Sequence, residues 1–143
     1  MPKADRTFHG AAGEHLVLGE LLKRHIDAYL ARGQTQQGWD ILVVAPCSFK
    51  KVQVKAIDWP ESTPVTVSSA MGFDAMVVVL LQRCEERSRF LVLTAKEVRR
   101  HRTPAGANRQ DNNCTMTIPK DLRGFEHHED CWGKLGAYPV RSA

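Results

Sequence analysis

Three residues could do chemistry together. Asp40 opens the apolar run Ile41-Leu42-Val43-Val44, and Gln53 and Lys55 alternate with Val52, Val54 and Ala56 further along the chain. Residues 39–45 and 51–57 are dense in β-formers and are separated by Pro46, Cys47, Ser48, Phe49 and Lys50, which reads as a hairpin. A turn centred near Cys47 and Ser48 brings Asp40 almost opposite Lys55 and beside Gln53. Side chains alternate along a strand, so Gln53 and Lys55 share one face while Val52, Val54 and Ala56 face the core. A carboxylate and an ammonium among such apolar neighbours are costly unless they are paired or serve a purpose. The chemistry open to an acid, an amide and an ammonium is metal-assisted phosphodiester hydrolysis. Asp40 is the hard oxygen ligand for Mg²⁺, with Mn²⁺ as an alternative. Gln53 can add its amide oxygen and Val54 its carbonyl. Lys55, a compact charge with three donors, can orient the attacking water or stabilise charge building on phosphorus. The bland reading is a structural Asp–Lys pair at the polar end of a hairpin.

The elements that must position these groups follow from periodicity. Between residues 10 and 31 the apolar Ala12, Leu16, Val17, Leu21, Ile26 and Leu30 recur near helical spacing, which predicts one long amphipathic helix ended by Gly33. Residues 34–38 read as a polar loop. Residues 65–68, 73–82 and 89–93 read as strands, and the run from Met76 to Leu81 implies burial on both faces. Thr94-Ala95-Lys96-Glu97 has the spacing of a capping box and predicts a short helix with Val98 inward. Residues 103–113 hold almost no apolar residue and read as a loop, residues 114–118 as a late strand, and Leu122, Phe125, Cys131, Trp132 and Leu135 as terminal helices on the sheet. The fold class expected is α/β or α+β, with a mixed central sheet flanked by helices.

The pattern Gly10-x-x-Gly13-Glu14, then Trp39-Asp40-Ile41-Leu42-Val43-Val44, then Val52-Gln53-Val54-Lys55 resembles the PD-(D/E)XK nuclease superfamily. Gln53-Val54-Lys55 matches its E-x-K tripeptide in the Q-x-K form. The likeness covers residues 9–57, and the Phe73-Asp74-Ala75-Met76 segment agrees loosely with the same core. It implies a restriction-endonuclease-like fold, Mg²⁺-dependent cleavage of DNA, and a homodimer or higher oligomer that cuts both strands. Archaeal-type Holliday-junction resolvases and some intron-encoded homing endonucleases share this scheme. The resemblance also gives Glu14 the part of the first-helix glutamate that completes the catalytic and metal-binding set. A neutral Gln53 removes one negative charge relative to an E-x-K centre, which weakens metal binding and raises the weight on Glu14.

The bulk of the sequence is permissive. A chain of 143 residues fits one domain, and 43% hydrophobic with 25% charged residues is ordinary for a globular protein. There is no apolar run of membrane-spanning length and no secretory core at the N-terminus, so the chain is expected to be cytoplasmic, with Cys47, Cys84, Cys114 and Cys131 reduced. A net charge of +4 suits a polyanionic partner. Lys50, Lys51, Arg99, Arg100 and Arg102 are the candidate DNA-backbone contacts, although cations at the end of a helix also follow from its dipole. Asp74 reads as a turn residue outside the centre. His127, His128 and Cys131 invite a zinc reading, with His127 and Cys131 spaced i, i+4 and Cys114 available, but no fourth ligand stands at regular spacing. Two rival functions remain: a DNA-binding protein that keeps the fold without turnover, and an interaction protein with a basic surface.

Overall fold

The computed structural model describes residues 3–31, 38–103 and 113–136, with side chains from residue 8 onward in the first helix. Helix α1 (Lys3–Lys23) leads into strand β1 (Asp27–Leu30), the hairpin β2 (Ile41–Ala45) and β3 (Ser48–Ile57), and then β4 (Pro64–Ser68). Strands β5 (Ala75–Gln82) and β6 (Arg87–Thr94), helix α2 (Ala95–His101) and strand β7 (Asn113–Thr117) follow. Two short 3-10 turns, Glu126–His128 and Trp132–Leu135, stand where terminal helices were expected.

Five strands form a mixed sheet in the order β1-β2-β3-β5-β6, parallel only between β3 and β5. Strands β4 and β7 form a separate antiparallel ribbon. Strand β5 is flanked on both sides and buried along its length to Leu81, as its unbroken apolar run predicts. One sheet face carries Ile41, Val43, Val52, Val77 and Val79 against Val17 and Leu21 of α1 and Trp132 and Leu135 of the last turn. The other face carries Met76, Val78, Leu80, Leu91 and Leu93 against Val65, Val67, Cys114, Met116 and Val98. Among the described residues no helix is long and apolar enough to cross a membrane.

Two expectations are corrected. The helix over residues 10–31 begins earlier, at Lys3, and ends at Lys23, because His25 takes a positive φ of 59° and β1 then pairs antiparallel with β2. The hairpin pairs Ala45 with Ser48, so the turn is Pro46-Cys47, one residue earlier than expected. Proline, with fixed φ and no N–H, suits the first central position of a turn. The ladder stops at Ile41↔Val52 and Asp40 N donates to the Val52 carbonyl (2.8 Å), so Asp40 stands against Val52 rather than opposite Lys55. The expected loops at residues 34–37 and 104–112 lie outside the described residues, as does Gly33.

The capping box forms as predicted: Thr94 Oγ1 accepts from Glu97 N (3.2 Å) and Glu97 Oε1 accepts from Thr94 N (2.9 Å). Glu97 also meets Lys134 Nζ at 2.9 Å and the buried His128 ring at 3.4 Å. Burial opposes ionisation of Glu97, yet the Thr94 amide and Lys134 outweigh it and hold this carboxyl down to about 2. Burial and the nearby Lys134 charge push His128 down to about 4. Lys50 Nζ donates to the Lys134 carbonyl at 2.6 Å, which ties the hairpin into this brace.

Helix α1 crosses β3 at Gly13, where an added Cβ would stand 2.9 Å from Ala56 Cβ and 3.4 Å from a Val54 methyl. Gly13→Ala therefore sets a helix-propensity gain of about 1 kcal/mol against overpacking of about 1 to 3 kcal/mol. The expected result in urea denaturation is a net loss of roughly 1 kcal/mol; a gain would show that the helix stands off the sheet.

Candidate active site at the parting of β2 and β3

The site is built where β2 stops alongside β3. The ladder between them ends at the pair Ile41↔Val52, and β3 continues to Ile57. Asp40 occupies the step before β2 with its backbone fixed on both sides: its N–H donates to the Val52 carbonyl (2.8 Å) and its carbonyl accepts from Ala31 N (2.8 Å). Just before it, Gly38 takes a φ of +83° close against the Gly72 backbone, a conformation that disfavours a side chain. So placed, Asp40 turns its carboxylate into the gap, where Oδ2 accepts from Val54 N at 2.8 Å. A residue's N–H and C=O point to the same strand edge, so the Val54 carbonyl borders the same gap.

Glu14 reaches this point from α1. It lies well inside the helix, not in its first turn, and its carboxyl hydrogen-bonds to that of Asp40. Burial, then the Asp40 charge and this shared hydrogen bond, push Glu14 up to about 7. Two carboxyls in contact cannot both ionise cheaply, so Glu14 keeps its proton well above the usual carboxylate range. Lys55 is pushed below the usual lysine range by burial, while the Asp40 charge acts in the opposite direction. Gln53, on the same sheet face as Lys55, has a buried Oε1 with no hydrogen-bond partner among the described groups.

That orphaned amide oxygen is the observation that tests the site for a metal. A buried acceptor without a donor is uncommon and calls for an explanation, and a hard cation supplies one. The available donors are two carboxylates, one amide oxygen and one backbone carbonyl, all oxygen, as Mg²⁺ and Mn²⁺ prefer. Among the described residues no three His, Cys, Asp or Glu side chains cluster to hold an ion. The zinc reading fails on geometry: Cys114 is buried beneath the β4–β7 ribbon, and Cys131 Sγ donates to the His127 carbonyl.

No protein-family model matches the chain, and no curated protein matches it. Solved structures do. Hjc, a Holliday junction resolvase from Archaeoglobus fulgidus, superposes with a TM-score of 0.55 at 15% identity, covering 92% of this chain and 98% of that one. The bacterial homing endonuclease I-Ssp6803I superposes with a TM-score of 0.56 at 14% identity, covering 89% of this chain and 88% of that one. The chain has the restriction-endonuclease-like fold. Within it, Glu14, the Val54 amide and Lys55 gather about Asp40, and Gln53 precedes Val54 on β3.

The other candidates sit apart from this cluster. Lys51 and Arg99 and Arg100 are exposed, the arginines on α2, which packs against β5, β6 and β7. Lys50 is committed to the Lys134 carbonyl, and Arg102 reaches the Ser69 carbonyl at 3.4 Å. Asp74 accepts from Lys51 N at 2.8 Å and secures the start of β5. Sequence reading missed His9 and Asp58, whose side chains meet at 3.2 Å. Neither belongs to a recognisable motif, and only the crossing of α1 over β3 brings them together.

The shifted Glu14 makes stability depend on pH. Its folded proton affinity exceeds the unfolded one, so its contribution is complete below about pH 4.5 and is lost as pH rises through about 7. The shift corresponds to roughly 3 kcal/mol unscreened and, for a partly exposed group, to about 1 to 2 kcal/mol. Glu14→Gln should therefore stabilise the metal-free protein by about 1 to 2 kcal/mol at pH 8 and leave it nearly unchanged at pH 5. Parallel pH–stability curves for the two proteins would contradict this.

Proposed function

We propose that the protein is a metal-dependent DNA endonuclease that hydrolyses phosphodiester bonds at the cluster of Glu14, Asp40, Gln53 and Lys55. The observation that carries the reading is the pairing of the Glu14 and Asp40 carboxyls with a partly desolvated lysine in the field of Asp40; Gln53, two residues before that lysine on β3, adds a buried amide oxygen without a partner among the described groups. Asp40, Glu14, Gln53 Oε1 and the Val54 carbonyl would hold Mg²⁺ or Mn²⁺. When bound, that ion supplies Lewis acidity to water and phosphate. The chain does the rest. The Val54 amide fixes the orientation of Asp40, and Glu14 gives up its retained proton when a cation binds. Lys55 donates to the attacking water or to the phosphoryl oxygens as charge develops there.

Exposed Lys51, Arg99 and Arg100 are proposed to contact the DNA backbone, with Lys50 and Arg102 beside them. Cutting both strands requires two centres, which makes a homodimer or higher assembly the expected form. The resolvase and the homing endonuclease with the same fold support DNA as substrate.

Gln53 favours one other reading, a nuclease-fold protein that binds DNA without cutting it. Incubation with supercoiled plasmid, single-stranded DNA and a four-way junction, in Mg²⁺, in Mn²⁺ and in EDTA, separates the two. The endonuclease reading predicts cutting of at least one form that EDTA abolishes. Tight binding without cutting in either metal would favour the non-cutting protein.

A further inference from the structure

Beyond the end of β2, the edge of β3 from Val54 onward borders a groove of about 300 Å³, lined by His9 and Gly10 of α1, Lys55, Asp58 and Ser62. The groove is built rather than incidental. His9 Nε2 lies 3.2 Å from Asp58 Oδ2, with the imidazole only 12% and the carboxylate 18% exposed. The same oxygen accepts from Arg83 at 2.9 Å, while Asp58 Oδ1 is buried without a hydrogen-bond partner among the described groups. One Asp58 oxygen thus meets both the His9 ring and the Arg83 guanidinium, and Lys55 lines the same groove. At Gly10 nothing stands within 4 Å of where a Cβ would be, so the helix surface there is bare. Strand alternation also directs the Ala56 N–H to this edge, since Val54 N points there to meet Asp40. The groove therefore combines an oriented imidazole, a hydroxyl, a lysine and an outward strand edge over open helix surface.

We propose that this groove binds a phosphate of the nucleic-acid strand neighbouring the one being cut, with His9 as its contact and Asp58 as the group that orients His9. The inference rests on the nuclease reading and adds a subsite to it. Spacing favours a neighbouring phosphate over the scissile one. His9 is five residues before Glu14 on the same helix, about 7.5 Å along its axis at 1.5 Å per residue. That exceeds the axial rise of about 3.4 Å per nucleotide, so the groove meets a phosphate other than the scissile one. Ser62, whose backbone N donates to the Asp58 carbonyl, is fixed beside the pair and supplies a second donor.

The test is fluorescence anisotropy with a labelled four-way DNA junction and a labelled linear duplex, in EDTA at low salt so that nothing is cut. His9→Ala is expected to weaken binding of the preferred form about tenfold, as loss of one hydrogen-bonded contact does. His9→Lys should restore most of the loss and His9→Gln should not, because a phosphate needs a cation whereas a mere brace to Asp58 needs only a donor. His15→Ala, an exposed position on the same helix, should bind as wild type, and His9→Ala should keep its Mn²⁺ affinity. Wild-type affinity in His9→Ala, or rescue by glutamine and not by lysine, overturns the subsite and leaves the nuclease reading standing. Failure of the wild-type protein to bind either DNA overturns both.

Discussion

Asp40→Asn should lower single-turnover DNA cleavage by at least about a thousandfold with little change in thermal stability. Electrostatic groups at the reacting centre commonly carry about 10²- to 10³-fold each, and Asp40 acts on three neighbours at once. Its carboxylate is a proposed metal ligand, it raises the proton affinity of Glu14, and its charge supports protonation of Lys55. Asparagine keeps the shape and an oxygen for the Val54 amide at 2.8 Å, so the fold should survive. Loss of the charge removes the hard ligand, returns Glu14 towards ordinary acidity and leaves burial to depress Lys55 unopposed. A fall of less than tenfold, with the variant folded, would place the chemistry elsewhere.

Lys55→Ala should reduce cleavage by about 10²- to 10³-fold while Mn²⁺ affinity changes little, because Lys55 is a donor to the reacting atoms and not a metal ligand. Its ammonium is partly buried and pushed below the usual lysine range, with the Asp40 charge beside it. Lys55→Arg is not expected to rescue the loss, since a planar fork cannot replace a compact charge in that space. The two substitutions should also be non-additive, because Asp40→Asn already weakens the ammonium that Lys55→Ala removes. Full additivity, or an equal loss of metal affinity in Lys55→Ala, would contradict the division of labour between the two residues.

Part of the candidate site was legible because its parts are local. Asp40 and the Gln53-Val54-Lys55 tripeptide sit on two consecutive strands, where alternation alone decides which side chains share a face. The turn came one residue earlier than alternation about Cys47 and Ser48 implies, and the ladder stops before Asp40, which is held against Val52. The error over residues 24–31 has a physical cause: Ile26 and Leu30 fit helical spacing as well as a short strand, and β1 exists because its edge pairs with β2. Glu14's contact with Asp40 depends on a helix crossing that Gly13 permits, and no property of residues 10–14 by itself encodes where that helix lands. The same holds for His9 against Asp58 and for the Glu97–His128–Lys134 brace, which join segments far apart in sequence. Buried polar groups of this kind are satisfied in three dimensions, so a linear pattern does not announce them.

Calorimetric titration of Mn²⁺ into wild type, Asp40→Asn and Gln53→Glu at pH 7.5 tests the divalent-ion centre most directly. The account predicts saturable binding by wild type with release of a proton from the carboxyl pair, none by Asp40→Asn, and about tenfold tighter binding by Gln53→Glu as a third carboxylate joins the set. Equal Mn²⁺ affinity in all three proteins would contradict it.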